Sequence, residues 1–235
     1  MENIVNMRTL GGLVNQQGMQ VKFDKLFRSG NPSVASDSDC LLLKKKAIDE
    51  IIDFRSEAEK QPSEQRFAQL FNWIAQPIFT GNLESLLSHD LSREMASRAM
   101  CDIYQRFPTD FQPQFRYLLK QAEQGKTLLF HCTAGKDRTG FAALLLLSAL
   151  DVSFDIILQD YLLSNEAIKG LKSQLIGFAD NRISEDAFQA ILEVTPEYLD
   201  NALTVINKNA GSVERYLQHT LTVDIKAIRQ YYLES

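Results

Sequence analysis

The chain has 235 residues, of which 45% are hydrophobic and 23% are charged. This composition excludes a disordered or collagen-like chain, and the length is sufficient for one large core that needs no disulfide or metal to hold it. Its 25 Lys and Arg residues stand against 30 Asp and Glu residues, so the formal net charge of −5 argues against a nucleic-acid-binding surface.

The first third of the chain has the apolar patterns of short strands. Met19–Phe27 alternates apolar and charged residues, which predicts a small antiparallel ribbon. Ile48–Phe54 and Trp73–Phe79 are apolar runs that predict buried strands. Between the ribbon and these strands, Leu41–Lys46 is typical of the end of a short helix, capped by the Ser or Asp that precedes it.

After residue 91 the apolar positions recur three and four apart, as in amphipathic helices. One short apolar run, Thr127–Phe130, lies between a glycine and a polar loop and predicts a central strand. Helices are predicted at Ser92–Phe107 and Asp110–Gln124, with Pro108 interrupting between them, and then at Arg138–Leu150, Phe154–Asn165, Ile168–Phe178, Glu185–Leu192 and after Thr195 and Ser212. Strands flanked by helices predict an α/β fold with a small, mostly parallel sheet covered on both faces and a helix-rich C-terminal half.

Residues 127–147 carry the most informative pattern of the chain: a strand (TLLF), a loop (HCTAGKDRTG) and an apolar helix (FAALLLL). At such a junction the N–H groups of the loop and of the first helical turn point to one spot, with the positive end of the helix behind them. That geometry binds a tetrahedral anion such as phosphate, and small residues let the backbone close around it. The residues predicted to bind the anion are Thr133, Ala134, Gly135, Lys136, Thr139 and Gly140.

Cys132 opens this loop and Arg138 closes it. We expect the amide dipoles, the helix end and the neighbouring cations to favour the thiolate of Cys132, which would then lie in line for attack on phosphorus. The guanidinium of Arg138 can bind two phosphoryl oxygens at once. A Cys and an Arg at this spacing recur by chance, whereas the full string between a strand and a helix is rare. The alternative is a buried, inert cysteine beside a run of surface charges.

The other cysteines, Cys40 and Cys101, are expected in the core, because the three cysteines are odd in number and form no C-x-x-C pair. We therefore expect no disulfide framework, no structural zinc and no cofactor. The N-terminus has no apolar leader, and the longest apolar run, Phe141–Leu150, is about half of the roughly 20 residues that span a bilayer. These features predict a cytoplasmic protein without stable membrane anchoring.

The loop HCTAGKDRTG resembles the signature of the cysteine-dependent protein tyrosine phosphatase superfamily, and within it the bacterial tyrosine phosphatase family whose loop has Lys and Asp before the Arg. Further segments are similar to that family: MRTLGGL, LFRSG, IIDFRSEAE, DYLLSN and GSVERYL. Thr9 and Phe54 depart from its usual Asp and Leu. The resemblance implies a protein tyrosine phosphatase-like three-layer fold, one phosphatase domain over residues 1–235 and chemistry without a metal.

By this resemblance Cys132 is the nucleophile, which forms a cysteinyl-phosphate, and Arg138 binds and stabilises the phosphoryl group. Asp137 is the candidate general acid, because the Asp of the family's signature maps onto it. Asp90, which follows the predicted strand at Trp73–Phe79, is the rival from the position of a separate movable loop. A third interpretation makes Asp137 an ion-pair partner that only orients Arg138.

Lys136 has two interpretations. It resembles the lysine that meets a second phosphate of an inositol headgroup in lipid-directed phosphatases, or it only raises the affinity for anions. Arg28 and Arg55 are expected to be structural ion-pair partners, and His131 is expected to orient the loop through a hydrogen bond to backbone. The helices between residues 154 and 195 either shield the thiolate as a lid, as in some relatives, or pack into the core.

We therefore expect a metal-independent phosphomonoester hydrolase that acts on phosphotyrosine, with dual specificity within its reach. Its partner would be a phosphotyrosine-bearing protein or another phosphomonoester. A phosphoinositide phosphatase that uses Lys136 for the headgroup is the alternative of the same class. A non-catalytic module that binds phospho-ligands and a sulfurtransferase are alternatives of other classes, against which the intact Cys132 and Arg138 and the ending DRTG argue.

Overall fold

A computed structural model of the chain describes residues 3–81, 91–176 and 184–235, and of 170–176 the backbone alone. Its strands are β1 (Arg8–Thr9), β2 (Gln20–Val21), β3 (Leu26–Ser29), β4 (Glu50–Asp53), β5 (Trp73–Ala75), β6 (Leu128–His131) and β7 (Leu233–Glu234). Its helices are α1 (Asp37–Lys45), α2 (Gln65–Ala68), α3 (Arg93–Asp110), α4 (Gln112–Ala122), α5 (Asp137–Ala149), α6 (Phe154–Ile176), α7 (Glu185–Leu192), α8 (Pro196–Ala210), α9 (Val213–Arg215) and α10 (Ile225–Tyr232). Short 3-10 helices lie at Pro32–Val34, Glu57–Glu59 and Pro62–Glu64, and a π-helical turn lies at Tyr216–Thr220.

The main sheet has the strand order β1-β3-β6-β4-β5. Strands β3, β6, β4 and β5 run parallel, and β1 pairs antiparallel with β3 at the edge. His131 at the end of β6 is in register with Ser29 of β3 on one side and with Asp53 of β4 on the other. The loops that follow these three residues therefore leave the sheet together at its carboxyl edge, where open parallel sheets bind their ligands.

Residues of the central strand alternate between two cores, as expected for a strand buried on both faces. Leu128 and Phe130 of β6 pack into the larger core, which the helices from α3 onward build. Leu129 packs on the opposite face, in the core that contains Leu43 of α1 and Phe67 of α2. The sheet thus lies between two helical layers, which confirms the expected α/β fold with a mostly parallel sheet.

Helix α5 carries the apolar run that follows the signature loop in the sequence. Every residue from Arg138 to Leu147 is buried, so protein covers this helix on all sides. It packs against α6 and against strands β3 and β6. No helix in the described ranges is long and apolar enough to cross a membrane. Helix α5 is instead the centre of the larger core and a rigid base for the loop that precedes it.

The predicted strands at Ile48–Phe54, Trp73–Phe79 and Thr127–Phe130 are confirmed as β4, β5 and β6, with ends that differ by a few residues. The predicted helices near residues 41 and 185 are confirmed as α1 and α7. Ser36 caps α1, because its Oγ accepts a hydrogen bond from the Asp39 N–H at 3.1 Å. These elements have strong local signals, and their positions follow from them.

The predicted antiparallel ribbon over Met19–Phe27 is wrong, because the segment is divided between two sheets. Strand β2 pairs antiparallel with β7 near the end of the chain, whereas β3 is a parallel strand of the main sheet. Asp24, with a φ of 56°, turns the chain between them. Leu26 lies in one core and Phe27 in the other, and a strand buried on both faces belongs inside a sheet.

The predicted interruption at Pro108 is also wrong. Helix α3 continues to Asp110 with Pro108 inside it. Proline removes the hydrogen bond that its own N–H would donate, and the helix ends only two residues later. Its own carbonyl accepts a hydrogen bond from the Tyr216 hydroxyl at 2.8 Å, which fastens the end of α3 to the C-terminal segment.

The predicted helices Phe154–Asn165 and Ile168–Phe178 form one helix, α6, up to residue 176. Asn165 lies near the expected break, where its side chain could compete with the helical backbone. Its amide is used elsewhere: Nδ2 donates to the Val194 carbonyl at 2.9 Å, and Oδ1 accepts from the Val194 N–H at 2.8 Å. The side chain therefore joins α6 to the start of α8 and leaves the helix intact.

Candidate active site

The loop between β6 and α5 holds Cys132, which is 2% exposed, at the carboxyl edge of the sheet. Gly135 of this loop has a φ of +70°, a left-handed backbone that favours glycine. It lies so close to β3 that a Cβ would be 2.4 Å from the carbonyl oxygen of Ser29. Glycine is therefore required for the loop to close against the end of β3.

The carbonyl groups of the loop are bonded from behind. The Nδ2 of Asn6 donates to the Ala134 carbonyl at 3.2 Å and to the Gly135 carbonyl at 2.9 Å. Arg28 donates from Nη2 to the same Gly135 carbonyl at 2.9 Å. Because these carbonyls are bonded to Asn6 and Arg28, we expect the neighbouring N–H groups to be left for an anion, as in an anion-binding nest.

The start of α5 adds further donors. The first hydrogen bond within this helix runs from the Gly140 N–H to the Lys136 carbonyl at 2.8 Å. The N–H groups of residues 137–139 thus have no partner within the helix, and the positive end of the helix lies beside the loop. Such an end is a ready site for an anion.

Asp160 of α6 anchors the loop from below. Its carboxylate is 2.5 Å from Nη1 of Arg28 and 2.7 Å from Nε of Arg8. Burial would raise the pKa of Asp160, but the charges of Arg28 and Arg8 outweigh it and lower the pKa. Arg28 is therefore an ion-pair partner, as expected, and it connects Asp160 to the carbonyl of Gly135.

Arg138 is held by the carboxylate of Glu59. Its Nη1 is 2.7 Å from Oε2 and its Nη2 is 2.6 Å from Oε1, so the pair is bidentate. Nη1 also donates to the carbonyls of Phe54 and Ile78 at 3.3 Å and 3.2 Å. These contacts fix the plane of the guanidinium in front of the loop.

Glu59 is itself fixed on two sides. It accepts hydrogen bonds from the Thr133 hydroxyl and, at 2.8 Å, from the Ser56 N–H. Burial would raise the pKa of Glu59, but the hydrogen bonds and charge of Arg138 outweigh it and lower the pKa to about 2. Burial likewise opposes the charge of Arg138, and Glu59 raises the pKa of that guanidinium above its usual value. The pair therefore stays ionised at any working pH.

A second cluster fixes the end of β4. Arg55 is 3.0 Å from Asp53 and 2.7 Å from Glu64, as expected of a structural ion-pair partner. The Nδ1 of His131 is 3.1 Å from the Cys132 carbonyl. Burial, against the opposing charge of Asp53, lowers the pKa of His131 to about 4, so the ring is neutral at neutral pH and orients the loop through backbone.

Asp137 does not pair with Arg138, which removes the interpretation in which it only orients that guanidinium. Its Oδ2 is 2.6 Å from Nζ of Lys136, and its Oδ1 accepts a hydrogen bond from the Tyr104 hydroxyl at 2.9 Å. Lys136 also donates to the Ile191 carbonyl of α7 at 2.9 Å. The ammonium of Lys136 is thus bonded on two sides within the protein.

Thr139 and Gly140, the last residues of the predicted set, lie in the first turn of α5 and are buried. Among the described residues the Thr139 hydroxyl has no hydrogen-bond partner, and it forms no bond to the Cys132 sulfur. A Cβ at Gly140 would be 2.8 Å from the ring of Tyr161, so glycine allows this close approach. Gly140 serves the packing behind the loop.

Asp90, the rival general acid, lies outside the described residues. Within the described ranges no cluster of His, Cys, Asp and Glu could hold a metal ion.

The sequence analysis gave no role to five residues that build the site: Asn6, Arg8, Glu59, Tyr104 and Asp160. Four of them lie in or beside segments that resemble the family, namely MRTLGGL, IIDFRSEAE and DYLLSN. Tyr104 lies in an amphipathic helix with no such signal. Their roles depend on contacts between distant parts of the chain, which no local pattern displays.

A sequence model of the tyrosine phosphatase family matches residues 1–234. The chain belongs to this family. A protein of Cupriavidus necator named "Putative tyrosine-protein phosphatase" is 40% identical over 99% of this chain and 87% of its own length. The triple specificity protein phosphatase PtpB of Mycobacterium tuberculosis is 32% identical over 58% of this chain and 55% of its own length. The expected family and hydrolase class are thereby confirmed.

Two solved structures align more loosely. P. aeruginosa TpbA in complex with phosphotyrosine is 14% identical, with 80% of this chain and 90% of that chain covered and a TM-score of 0.35. The core catalytic domain of the S. cerevisiae PP-IP phosphatase SIW14 in complex with citrate is 15% identical, with 87% and 92% covered and a TM-score of 0.35. The family assignment stands on the sequence matches.

Asp160→Asn tests the buried anchor of the loop. The substitution leaves Arg28 and Arg8 without a counter-charge, so we expect the free energy of unfolding at pH 7 to fall by about 3–5 kcal/mol, as for other broken buried ion pairs. The measurement is urea unfolding followed by circular dichroism. Asp110→Asn, which removes one partner of an exposed pair with Arg106, is the matched control, with an expected loss of less than about 1 kcal/mol.

The pH dependence of the stability difference between wild type and Asp160→Asn is a second part of this test. Because the folded state lowers the pKa of Asp160, its stabilising contribution is present above the usual pKa of about 3.9 and is lost as the pH falls through the lower folded value. The difference between wild type and Asp160→Asn should therefore be constant from pH 7 to about pH 5 and shrink below pH 4. An equal loss for the two Asn variants at pH 7 would show that the anchor contributes little.

Proposed function

We propose that this member of the tyrosine phosphatase family hydrolyses phosphotyrosine and that residues 1–235 act as one phosphatase domain. The observation that supports this most is the placement of Cys132 at the base of a loop whose carbonyls are bonded from behind, with Arg138 fixed in front of it by Glu59. A thiol, a set of inward N–H groups and a planar cation are the groups that phosphoryl transfer through a thiolate needs. The pairing of β2 with β7 joins residues 20–21 to residues 233–234 and supports a single domain.

In the first step, the Cys132 thiolate attacks phosphorus in line with the ester oxygen. The S–P bond forms as the P–O bond breaks, and Asp137 in its acid form gives its proton to the leaving phenolate. Arg138, the loop N–H groups and the start of α5 bind the equatorial oxygens, where charge is redistributed in the transition state. The products of this step are the dephosphorylated tyrosine side chain and a cysteinyl-phosphate.

In the second step, water attacks the cysteinyl-phosphate. Asp137, now a carboxylate, takes a proton from the water as the O–P bond forms, and the S–P bond breaks to restore the thiolate. Inorganic phosphate then leaves. Thr139, whose buried hydroxyl has no partner among the described residues, is placed in the turn that follows Arg138 and is the candidate donor to the departing sulfur.

The names of the relatives support phosphotyrosine as the substrate, and the triple specificity relative supports tests of other phosphomonoesters. For a phosphoinositide, Lys136 would have to meet a second phosphate. Its ammonium is already bonded to Asp137 and to the Ile191 carbonyl, and only 8% of the side chain is exposed. These contacts favour the phosphotyrosine assignment over the headgroup role of Lys136.

Cys132→Ser tests the nucleophile. We expect it to lower kcat on p-nitrophenyl phosphate and on a phosphotyrosine peptide by about a thousandfold or more, because the hydroxyl is a far weaker nucleophile, while phosphate still binds. Cys101→Ser, which changes another buried cysteine, should retain full activity. Chelators should change nothing. Phosphoserine peptides and phosphoinositide vesicles complete the panel.

The outcomes separate the proposals. Binding of phosphate without turnover by the wild type would favour a non-catalytic module. A higher kcat/KM on phosphoinositide vesicles than on the peptide would reverse the assignment of substrate. Turnover by Cys132→Ser, or loss of activity with a chelator, would contradict the mechanism.

Asp137→Asn tests the general acid. An amide cannot donate the proton, so we expect kcat to fall most for aryl phosphates with poor leaving groups, by about 100-fold or more, and least for p-nitrophenyl phosphate. The measurement is the dependence of kcat on the pKa of the leaving phenol. Asp90→Asn is the matched variant. An equal loss on all esters for Asp137→Asn, with a graded loss for Asp90→Asn, would transfer the role to Asp90.

A further inference from the structure

A tyrosine from outside the signature loop holds the carboxyl group of Asp137. Tyr104 lies in the middle of α3 and is fully buried, and its hydroxyl is 2.9 Å from Asp137 Oδ1 and 2.6 Å from the hydroxyl of Tyr161. A carboxylate only accepts hydrogen bonds, and each phenol has one proton. Tyr104 therefore donates to Asp137, and Tyr161 donates to Tyr104. The chain of donors runs in one direction towards the carboxylate.

Both phenols are neutral donors at any working pH. Burial, together with the charge of Asp137, raises the pKa of Tyr104 and of Tyr161 well above the usual value. Their rings are also fixed in place. The ring centroid of Tyr104 is 5.0 Å from that of Phe107 and 5.4 Å from that of Tyr198. The ring of Tyr161 lies against Gly140 of α5. The Tyr104 hydroxyl is thus held at one position relative to the loop.

The two partners of Asp137 differ in what they can do when the carboxyl is protonated. Lys136, 2.6 Å from Oδ2, can only donate. A phenol can donate to a carboxylate, and it can also accept from a carboxylic acid if its own proton turns to another acceptor. The oxygen of Tyr161 is such an acceptor at 2.6 Å once the proton of Tyr161 turns away from Tyr104. Tyr104 is therefore the partner that fits both charge states of Asp137.

We propose that Tyr104 is a positioning residue for proton transfer, which keeps the carboxyl of Asp137 in one orientation as acid and as base, with Tyr161 supporting it. The proposal rests on the proposed role of Asp137 as general acid. It gives Gly140 a reason as well, because a side chain there would push Tyr161 away from Tyr104.

Tyr104→Phe removes the hydroxyl and keeps the ring. We expect kcat to fall about tenfold on phenyl phosphate and to change little on p-nitrophenyl phosphate, whose leaving group needs less protonation. The loss on phenyl phosphate should appear in kcat, with KM little changed, because the hydroxyl orients the carboxyl group of Asp137 and does not bind the substrate.

Tyr216→Phe is the matched control. Tyr216 is as buried as Tyr104, and its hydroxyl bonds to Pro108 of the same helix α3 but to nothing in the loop. This variant should retain the wild-type dependence on the leaving group and the wild-type kcat on phenyl phosphate. Tyr161→Phe should shift both in the same direction as Tyr104→Phe, by a smaller amount, and it carries the test if Tyr104→Phe does not fold.

Three results would overturn the proposal. One is a wild-type profile for Tyr104→Phe or, where that variant does not fold, for Tyr161→Phe. Another is an equal loss on both esters, which a structural role alone would give. A third is the same behaviour in Tyr216→Phe. If Asp137→Asn shows the graded loss and Tyr104→Phe does not, only the positioning role of Tyr104 is contradicted. If Asp137→Asn shows no graded loss, both the general-acid role of Asp137 and the positioning role of Tyr104 are contradicted.

Discussion

The close approach of Gly135 to the end of β3 is the constraint on which the rest of the site depends. With no room for a side chain, the loop folds back onto the strand, and its carbonyls reach Asn6 and Arg28. Cys132 belongs to the same loop, which leads directly into α5. The shape of the proposed anion site thus depends on the backbone contacts behind the loop.

Charges are arranged in two layers around this backbone. Behind the loop, Asp160 pairs with the half-buried Arg8 and the buried Arg28, and Arg28 in turn holds Gly135. In front of it, Glu59 neutralises Arg138 and fixes its plane without occupying all of its donors. Each cation is oriented before substrate arrives, and preorganised groups of this kind need little rearrangement in the transition state. The pKa of Glu59 and the pKa of Asp160 are both lowered, so both layers stay charged at working pH.

Local patterns predict a large part of this arrangement. The strand–loop–helix pattern around HCTAGKDRTG locates Cys132 and Arg138, and the cap of α1 follows from the serine that precedes it. The patterns fail where contacts between distant parts of the chain determine the local structure. Leu26 and Phe27 read as part of an antiparallel ribbon until the two cores on either side of β3 are known. Pro108 reads as an end of a helix, yet the helix continues past it and its carbonyl is bonded by Tyr216.

The partners of the charged residues are beyond local patterns for the same reason. Asp137 and Arg138 are neighbours in sequence and suggest a pair, but successive residues leave a helix in different directions. Arg138 finds Glu59 at the end of a 3-10 helix, and Asp137 finds Tyr104 in α3. Residues that are far apart in sequence converge because β3, β6 and β4 end at one edge and α3 and α6 pack beside α5. Only the assembled fold brings them together.

The reactivity of the Cys132 thiolate is the most direct test of this account. Carbamidomethylation by iodoacetamide at pH 6–7 can be followed residue by residue by mass spectrometry. Cys40 and Cys101 serve as internal references, because burial is the main cause that raises the pKa of each thiol. The account predicts that Cys132 is labelled faster than free cysteine and that orthovanadate strongly slows its labelling. Labelling of Cys132 no faster than free cysteine and unaffected by orthovanadate would contradict it.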